Sequence, residues 1–145
     1  MSIEGPLHQE EIARRVAFAF GKTKAGRRIV EVTFKALILC GCSTDFAISR
    51  QDDFWATSEQ WMKSPVRTRA DETGATLAAA MLAPAEIKAA AVLIESESGS
   101  MPPEEMVKAV SNLFGFKRLG TDLRSAIENA LEFQGTKSTH QIVHR

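Results

Sequence analysis

The chain has 145 residues, of which 44% are hydrophobic and 25% are charged, proportions that are typical of a soluble globular protein. Its 18 basic side chains balance 18 acidic ones, which argues against the strong positive field of a dedicated, high-affinity nucleic-acid binder. With two cysteines, no signal peptide and no apolar run of membrane-spanning length, the sequence excludes a disulfide framework and predicts a soluble, cytoplasmic protein.

The chain begins with a predicted helix, turn and helix. Ile12, Val16, Ala19 and Phe20 form one apolar stripe at helical spacing, and Gly21 is a glycine that ends such a helix. A basic turn follows, and a longer helix is expected from about Ala25 to Cys40, ending at Gly41. Two helices joined by a tight, glycine-containing turn form the outline of a helix-turn-helix.

After Gly41 the apolar residues recur at every second position. Phe46 and Ile48, then Phe54 and Ala56, flank a polar turn, which predicts a β-hairpin. Helix, turn, helix and hairpin is the order of a winged helix, with the wing at residues 46–57. Trp55 and Trp61 are expected to seal the underside of the wing, with base stacking as the alternative.

Residues 59–83 form a connector in this interpretation. Arg67 and Arg69 are expected in a solvated loop that neutralises its own charge, although residues 66–69 also suit a short strand. An additional helix is then predicted from Pro84 to about Glu97, with Ile87, Ala90, Ala91 and Ile94 at helical spacing.

The first unit is repeated near the end of the chain. Residues 5–41 align without a gap on residues 99–135, at a constant offset of 94 (115 − 21 = 94). The identical pairs are Gly5/Gly99, Glu10/Glu104, Glu11/Glu105, Val16/Val110, Phe20/Phe114, Gly21/Gly115, Gly26/Gly120, Ala36/Ala130, Leu37/Leu131 and Gly41/Gly135. The predicted fold is therefore α+β, mainly α, with two tandem winged-helix-like units in pseudo-repeat. They span residues 1–58 and 84–145, and the second helix of the later copy is expected to end at Gly135.

The two copies differ in what precedes and follows them. The first has no counterpart of the predicted helix at 84–97, so we expect either a missing opening helix or a piece cut from a longer chain. That expectation predicts a poorly covered apolar face near Ile12 and Val16. In the second copy, residues 141–143 resemble one wing strand whose partner is absent.

No catalytic or metal-binding group is predicted. His8, His140 and His144 have no carboxylate or cysteine at a spacing that suggests a shared site, and His8 suits a helix cap. Cys40 and Cys42 lack the second ligand pair that a tetrahedral zinc site requires. We therefore expect a non-enzymatic chain without metal or cofactor.

The remaining functional signal is basic. The candidate nucleic-acid-binding residues lie in the turns and at the starts of the second helices: Lys22, Lys24, Arg27, Arg28, Lys117, Arg118 and Arg124. The expected partner is DNA or RNA, bound weakly. The alternative is a protein–protein or intramolecular docking or dimerisation role without nucleic-acid binding, because residues 29–40 are apolar on more than one side of their helix.

Several motifs resemble a known family. They are residues 4–8, Ala13-Arg14-Arg15-Val16, the basic turn with Gly26, Asp53-Phe54-Trp55, residues 65–71 and residues 113–120. Together they resemble a domain of unknown function at the C-terminal end of large bacterial and archaeal helicase-like proteins, which carry a superfamily 1 ATPase core and often a restriction-endonuclease-like domain. The first turn departs from that pattern at Lys24-Ala25-Gly26, and no phosphate-binding loop occurs. The resemblance implies a non-catalytic accessory module whose partner is the ATP-dependent helicase core of a larger protein.

Overall fold

The structure is a computed structural model that describes residues 5–45, 47–72 and 78–140, with only the backbone of residues 132–140. The chain is α+β and mainly helical. It divides into two compact units, Met1–Ser64 (unit 1) and Pro65–Arg145 (unit 2). None of the helices in the described ranges is both long enough and apolar enough to cross a membrane.

Unit 1 combines three helices with a small sheet. Its elements in chain order are β1 (Leu7–His8), α1 (Gln9–Ala19), α2 (Arg27–Gly41), β2 (Ile48–Gln51), β3 (Phe54–Thr57) and α3 (Ser58–Met62). The side chain of His8 accepts a hydrogen bond from the backbone N–H of Glu10, with 3.2 Å between Nδ1 and N. The prediction that His8 caps the first helix is confirmed.

The predicted hairpin is present as β2 and β3, although Phe46, the first predicted wing residue, lies outside the described residues. The sheet has the order β1-β3-β2, and both pairs of neighbouring strands are antiparallel. Trp55 is buried beneath it as predicted, and the indole Nε1 of Trp61 donates to Ser49 Oγ on β2 at 2.9 Å. The sequence did not predict β1, because two residues are too few to show a strand periodicity.

The regular elements of unit 2 in its described part are all helical. It contains a 3₁₀ turn (Ala79–Met81), α4 (Pro84–Ser98), α5 (Pro103–Leu113) and α6 (Thr121–His140). Proline occupies the first position of both α4 and α5, where its missing N–H costs no helical hydrogen bond. Side chains from α4, α5 and α6 form one continuous hydrophobic core, which includes Ile87, Ala90, Val110, Phe114 and Ile127.

The expectation of a solvated loop around Arg67 and Arg69 is wrong. Arg69 is 3% exposed, and its guanidinium donates to both carboxylate oxygens of the fully buried Glu86, at 3.1 and 2.9 Å. Arg67 donates to the same carboxylate through its backbone N–H and its Nη2. Residues 66–69 do not form a strand. The Glu86 carboxylate, which accepts several charge-assisted hydrogen bonds, holds this segment against α4.

The repeat predicted from the sequence also appears in the local structure. Both α1 and α5 occupy equivalent positions at the offset of 94, and α2 and α6 begin at equivalent positions. The ends of the second helices differ, because α2 stops at Gly41 while the backbone of α6 continues through Gly135 to His140. The predicted end at Gly135 is therefore wrong, since a glycine inside a helix costs only about 1 kcal/mol. Residues 141–143, expected as a wing strand, lie outside the described residues.

Candidate nucleic-acid interface

The two basic turns are built by the same backbone hydrogen bonds. We call residues 21–28 the first corner and residues 115–122 the second corner. In the first, the N–H of Gly21 donates to Phe18 O and that of Lys22 to Ala17 O, both at 2.9 Å. In the second, Gly115 and Phe116 make the equivalent bonds at 2.9 and 3.1 Å. Both glycines have a positive φ, and this pattern is a Schellman motif.

The first corner presents four cationic side chains to solvent. Lys22, Lys24, Arg27 and Arg28 are all exposed. The Nε of Arg27 lies 3.0 Å from a carboxylate oxygen of Glu31, one turn along α2. For Lys22, Lys24 and Arg28, no acidic side chain in the described ranges lies within ion-pair distance. Their charges are consequently available to an anionic ligand.

The second corner presents fewer free charges. Lys117 and Arg118 are exposed, but Arg124 is half-buried between two carboxylates. Its Nη1 lies 3.2 Å from Glu104 and 3.5 Å from Glu128. Arg124 would have to leave both acidic partners before it could contact a phosphate, so Lys117 and Arg118 are the accessible candidate cations of this copy.

The corners are equivalent in backbone but only partly in charge. Lys24 and Arg118 occupy equivalent positions, whereas Arg28 in the first corner corresponds to Asp122 in the second. Beside the second corner lies an open cavity of about 490 Å³, lined by Phe116, Arg118, Gly120, Thr121, Asp122, Leu123 and Ala79. The carboxylate of Asp122 in this lining opposes anion binding there. The first corner is therefore the more cationic of the two.

The exposed apolar surface of unit 1 is wider than the sequence predicts. Ile12 and Val16 are half-buried, whereas Phe20 is 76% exposed, Val32 65% and Leu39 71%. We call the following residues the uncovered face: Ile12, Val16 and Phe20 on α1 with Ile29, Val32, Ala36 and Leu39 on α2. The residues of α2 recur at spacings of three or four, and that periodicity was the available signal for one stripe on this helix.

The other candidate groups form no centre in the described ranges. No cluster of three or more histidine, cysteine, aspartate or glutamate side chains is placed there to hold a metal ion. Cys40 is a half-buried free thiol and Cys42 an exposed one. The backbone of His140 ends α6, and His144 lies outside the described residues.

Comparison with known proteins gives one match. A family model described as a protein of unknown function (DUF3320) matches residues 1–31. That segment contains α1, the first corner and the first turn of α2, so four of the seven candidate residues lie within it. No curated protein and no solved structure matches the chain.

Proposed function

We propose that this chain is a non-catalytic nucleic-acid-binding module that contacts a duplex backbone through its two corners. The observation that supports the proposal best is the exposure of Lys22, Lys24 and Arg28 at one corner and of Lys117 and Arg118 at the other. Phosphate contacts require only lysine or arginine within reach, and each neutralised phosphate adds salt-dependent affinity. Because the net charge of the chain is zero, the binding is weak and confined to these corners.

The proposal includes a winged-helix interpretation of unit 1. Three features support it. A short strand, β1, precedes α1; a corner joins the two helices α1 and α2; and the second hairpin strand, β3, pairs with β1 as well as with β2. In such a unit α2 is the helix that enters the major groove, with its N-terminal residues at the DNA. Arg27 and Arg28 stand at that end of α2. The second copy would be a related unit.

The resemblance to helicase-associated domains adds the biological setting to this proposal. We propose that the module accompanies the ATPase core of a larger helicase-like protein and holds the duplex while that core moves. The match of residues 1–31 to a family of unknown function supports kinship over the first corner. The partner would then be both the nucleic acid and the motor.

Fluorescence anisotropy with labelled duplex and single-stranded DNA, at several salt concentrations, tests the nucleic-acid proposal. Each phosphate neutralised contributes about −0.9 to the slope of log K against log salt, so the five exposed cations that have no acidic partner in the described part of the chain contribute about −4.5 together. Replacing Lys22 and Lys24 by glutamate should weaken binding and flatten the slope by about 1.8. The double change Lys117→Glu and Arg118→Glu should act in the same direction.

Matched controls are charge reversals away from the corners. Lys63, at the end of α3, and Lys108, on α5, are both exposed, so the double change Lys63→Glu and Lys108→Glu makes the same charge change as either corner pair. If the controls weaken binding as much per charge as the corner variants, the interaction is diffuse attraction rather than a corner interface. If the wild-type chain binds no DNA at low salt, the nucleic-acid proposal fails.

A second candidate function is protein docking, supported by the uncovered face. Phe20, Val32 and Leu39 expose large apolar side chains on adjacent helices of one unit. Contiguous apolar patches on a protein surface commonly mark interaction sites. Docking could involve another copy of the chain, as a homodimer, or a different protein, and light scattering at several concentrations separates these cases.

A further inference from the structure

The internal repeat shows which helix covers the equivalent residues in the second copy. At the offset of 94, its residues correspond to Met106, Val110, Phe114, Leu123, Ala126, Ala130 and Phe133. Met106, Val110, Phe114, Leu123 and Ala130 are buried, and Ala126 packs against the same core. Helix α4 supplies the opposing side of that core through Ile87, Ala90 and Ala91.

The pairing of the two helices in each copy does not account for this difference. Ala13, Ala17 and Thr33 are buried in unit 1, and their equivalents Val107, Ser111 and Ile127 are buried in unit 2. We call these positions, which are buried in both copies, the inner seam. Burial differs elsewhere on the helix pair: Phe20 is 76% exposed and Phe114 is fully buried. The two copies therefore differ in cover at the residues of the uncovered face and not at the inner seam.

The helix that covers the second copy has a definite chemistry. Ile87 is its large apolar anchor, and Ala90 and Ala91 allow the backbone of α4 to approach the other helices closely. Glu86, Glu95 and Glu97 outnumber the single cation Lys88, so α4 is acidic. Because Glu95 and Glu97 are exposed near its end, they add negative charge without entering the core.

The surroundings of the uncovered face in unit 1 have the opposite sign. Residues 1–50 carry eight basic and five acidic side chains. The first corner, which joins the two helices of the face, holds the exposed Lys22, Lys24 and Arg28. A helix with α4's acidic character would therefore approach an apolar groove in a part of the chain whose net charge is positive. Such complementarity favours this partner over a neutral or basic helix.

We propose that the uncovered face of unit 1 binds an acidic, alanine-rich amphipathic helix of a partner protein, in the way that α4 covers α5 and α6. This inference rests on the docking function proposed above and names its occupant. Phe20 is the anchor of the receiving surface, because its equivalent Phe114 is fully buried in the same core cluster as Ile87 and Ala90 of α4. The binding follows the helix-in-groove mode, in which an apolar helix face is laid into a hydrophobic groove.

A labelled peptide with the sequence of residues 82–98 is the probe for this surface. It carries Glu86→Ala, because Arg67 and Arg69, which bind that carboxylate in unit 2, lie outside the repeated segment. Anisotropy of the peptide titrated with the full chain should show saturable binding. Phe20→Ser in the chain should weaken that binding about tenfold or more, as expected for a buried aromatic anchor.

Phe18 provides a matched control on the same helix. It is 80% exposed, and its equivalent in the second copy, Asn112, is exposed too, so α4 does not cover that position. Phe18→Ser should leave the affinity within about twofold of wild type. A peptide with Glu95→Lys and Glu97→Lys should bind less tightly, and the loss should shrink at high salt. Equal losses from Phe18→Ser and Phe20→Ser would overturn the assignment of the surface.

A covalent version of the test avoids the marginal helicity of a free peptide. Residues 82–98 carrying Glu86→Ala are placed before Gly5 at the offset that α4 has before Gly99, in place of residues 1–4. Trp55 and Trp61 both belong to unit 1, so tryptophan fluorescence reports its unfolding. The added helix should raise the urea midpoint of that transition, and Phe20→Ser should abolish the gain.

The outcomes distinguish failure of the helix proposal from failure of the docking function. If peptide and grafted helix both fail while the full chain self-associates in a Phe20-dependent manner, the surface docks a second copy and the helix proposal is wrong. If Phe20→Ser changes nothing in any of these measurements, both the helix proposal and the docking function fail.

Discussion

The two copies of the helix pair share a backbone and differ in their surroundings. The corner glycines, the hydrogen bonds that close α1 and α5, and the starts of α2 and α6 all coincide at one offset. In unit 2 the pair packs against α4, whereas in unit 1 it packs against strands β1 and β2. One local sequence pattern therefore supports two different packing environments.

This difference shows that neighbouring elements decide whether an apolar residue is buried in the core. Phe20 and Phe114 have the same identity and the same place after the first helix of each copy. Phe114 is enclosed by the unit 2 core, and the guanidinium of Arg69 lies over its ring with 5.4 Å to the centroid. Phe20 lies at the surface of unit 1. The same side chain is thus part of the core in one copy and exposed to solvent in the other.

The largest expected contrast is between Phe114→Ala and Phe20→Ala. Removing a fully buried phenylalanine should lower the free energy of unfolding by about 3–5 kcal/mol, through lost apolar burial and an unfilled cavity. Phe20→Ala should change it by less than about 0.5 kcal/mol, because the ring is already in solvent. Urea unfolding followed by far-ultraviolet circular dichroism measures both. Similar losses for the two variants would contradict the difference in burial.

A second contrast concerns Gly21 and Gly115, the glycines that follow α1 and α5. Both have a positive φ, so alanine at either position introduces a strain of about 1–2 kcal/mol. A Cβ at Gly115 would also lie 2.7–2.9 Å from atoms of Ala70, whereas one at Gly21 would meet nothing within 4 Å. Gly115→Ala should therefore cost about 1–3 kcal/mol more than Gly21→Ala.

Thermal unfolding of the two glycine variants tests this ordering. Gly26 and Gly120 serve as the control pair, because neither has a positive φ and a Cβ at either would meet nothing within 4 Å. Alanine at these positions should be tolerated equally in both units. A Gly21→Ala variant as unstable as Gly115→Ala would mean that the two corners are equally confined.

The smallest predicted effect is a gain in stability from Thr33→Val. Thr33 is buried in the inner seam at the position of Ile127, and its Oγ1 has no hydrogen-bond partner among the described atoms. Replacing a buried, unsatisfied hydroxyl by a methyl group of the same shape should raise the free energy of unfolding by about 1 kcal/mol. Tryptophan fluorescence during urea unfolding reports it. Thr44→Val, at an exposed position, should change the midpoint little, and a destabilised Thr33→Val would show that the hydroxyl has a partner.

The elements that could be predicted were those with a local cause. The helix pairs follow from the 3.6-residue spacing of residues such as Ile12 and Val16, and their ends follow from Gly21 and Gly115. The hairpin follows from alternation around a polar turn. The cap by His8 needed only its position before the helix. In each case the deciding contact lies within a few residues of the chain.

The candidate cations could be found from the sequence, but their availability could not. The sequence makes Arg124 as good a candidate as Arg118, yet Glu104, distant in sequence, lies beside Arg124. Arg67 and Arg69 were expected in solvent because a loop with mixed charges normally is exposed. The carboxylate that binds them, Glu86, is separated from Arg69 by 17 positions. No local sequence pattern predicts such an ion pair.

The sequence by itself determined the duplicated helix pair, the two glycine-closed corners and the positions of their cations, because backbone geometry and helical periodicity act over short distances along the chain. Only the tertiary structure decided that Arg69 and Glu86 are buried together, that Arg124 is held by acidic neighbours, and that Phe114 is enclosed while Phe20 is exposed. Burial depends on which distant elements pack together, and identical residues in the two copies meet different neighbours.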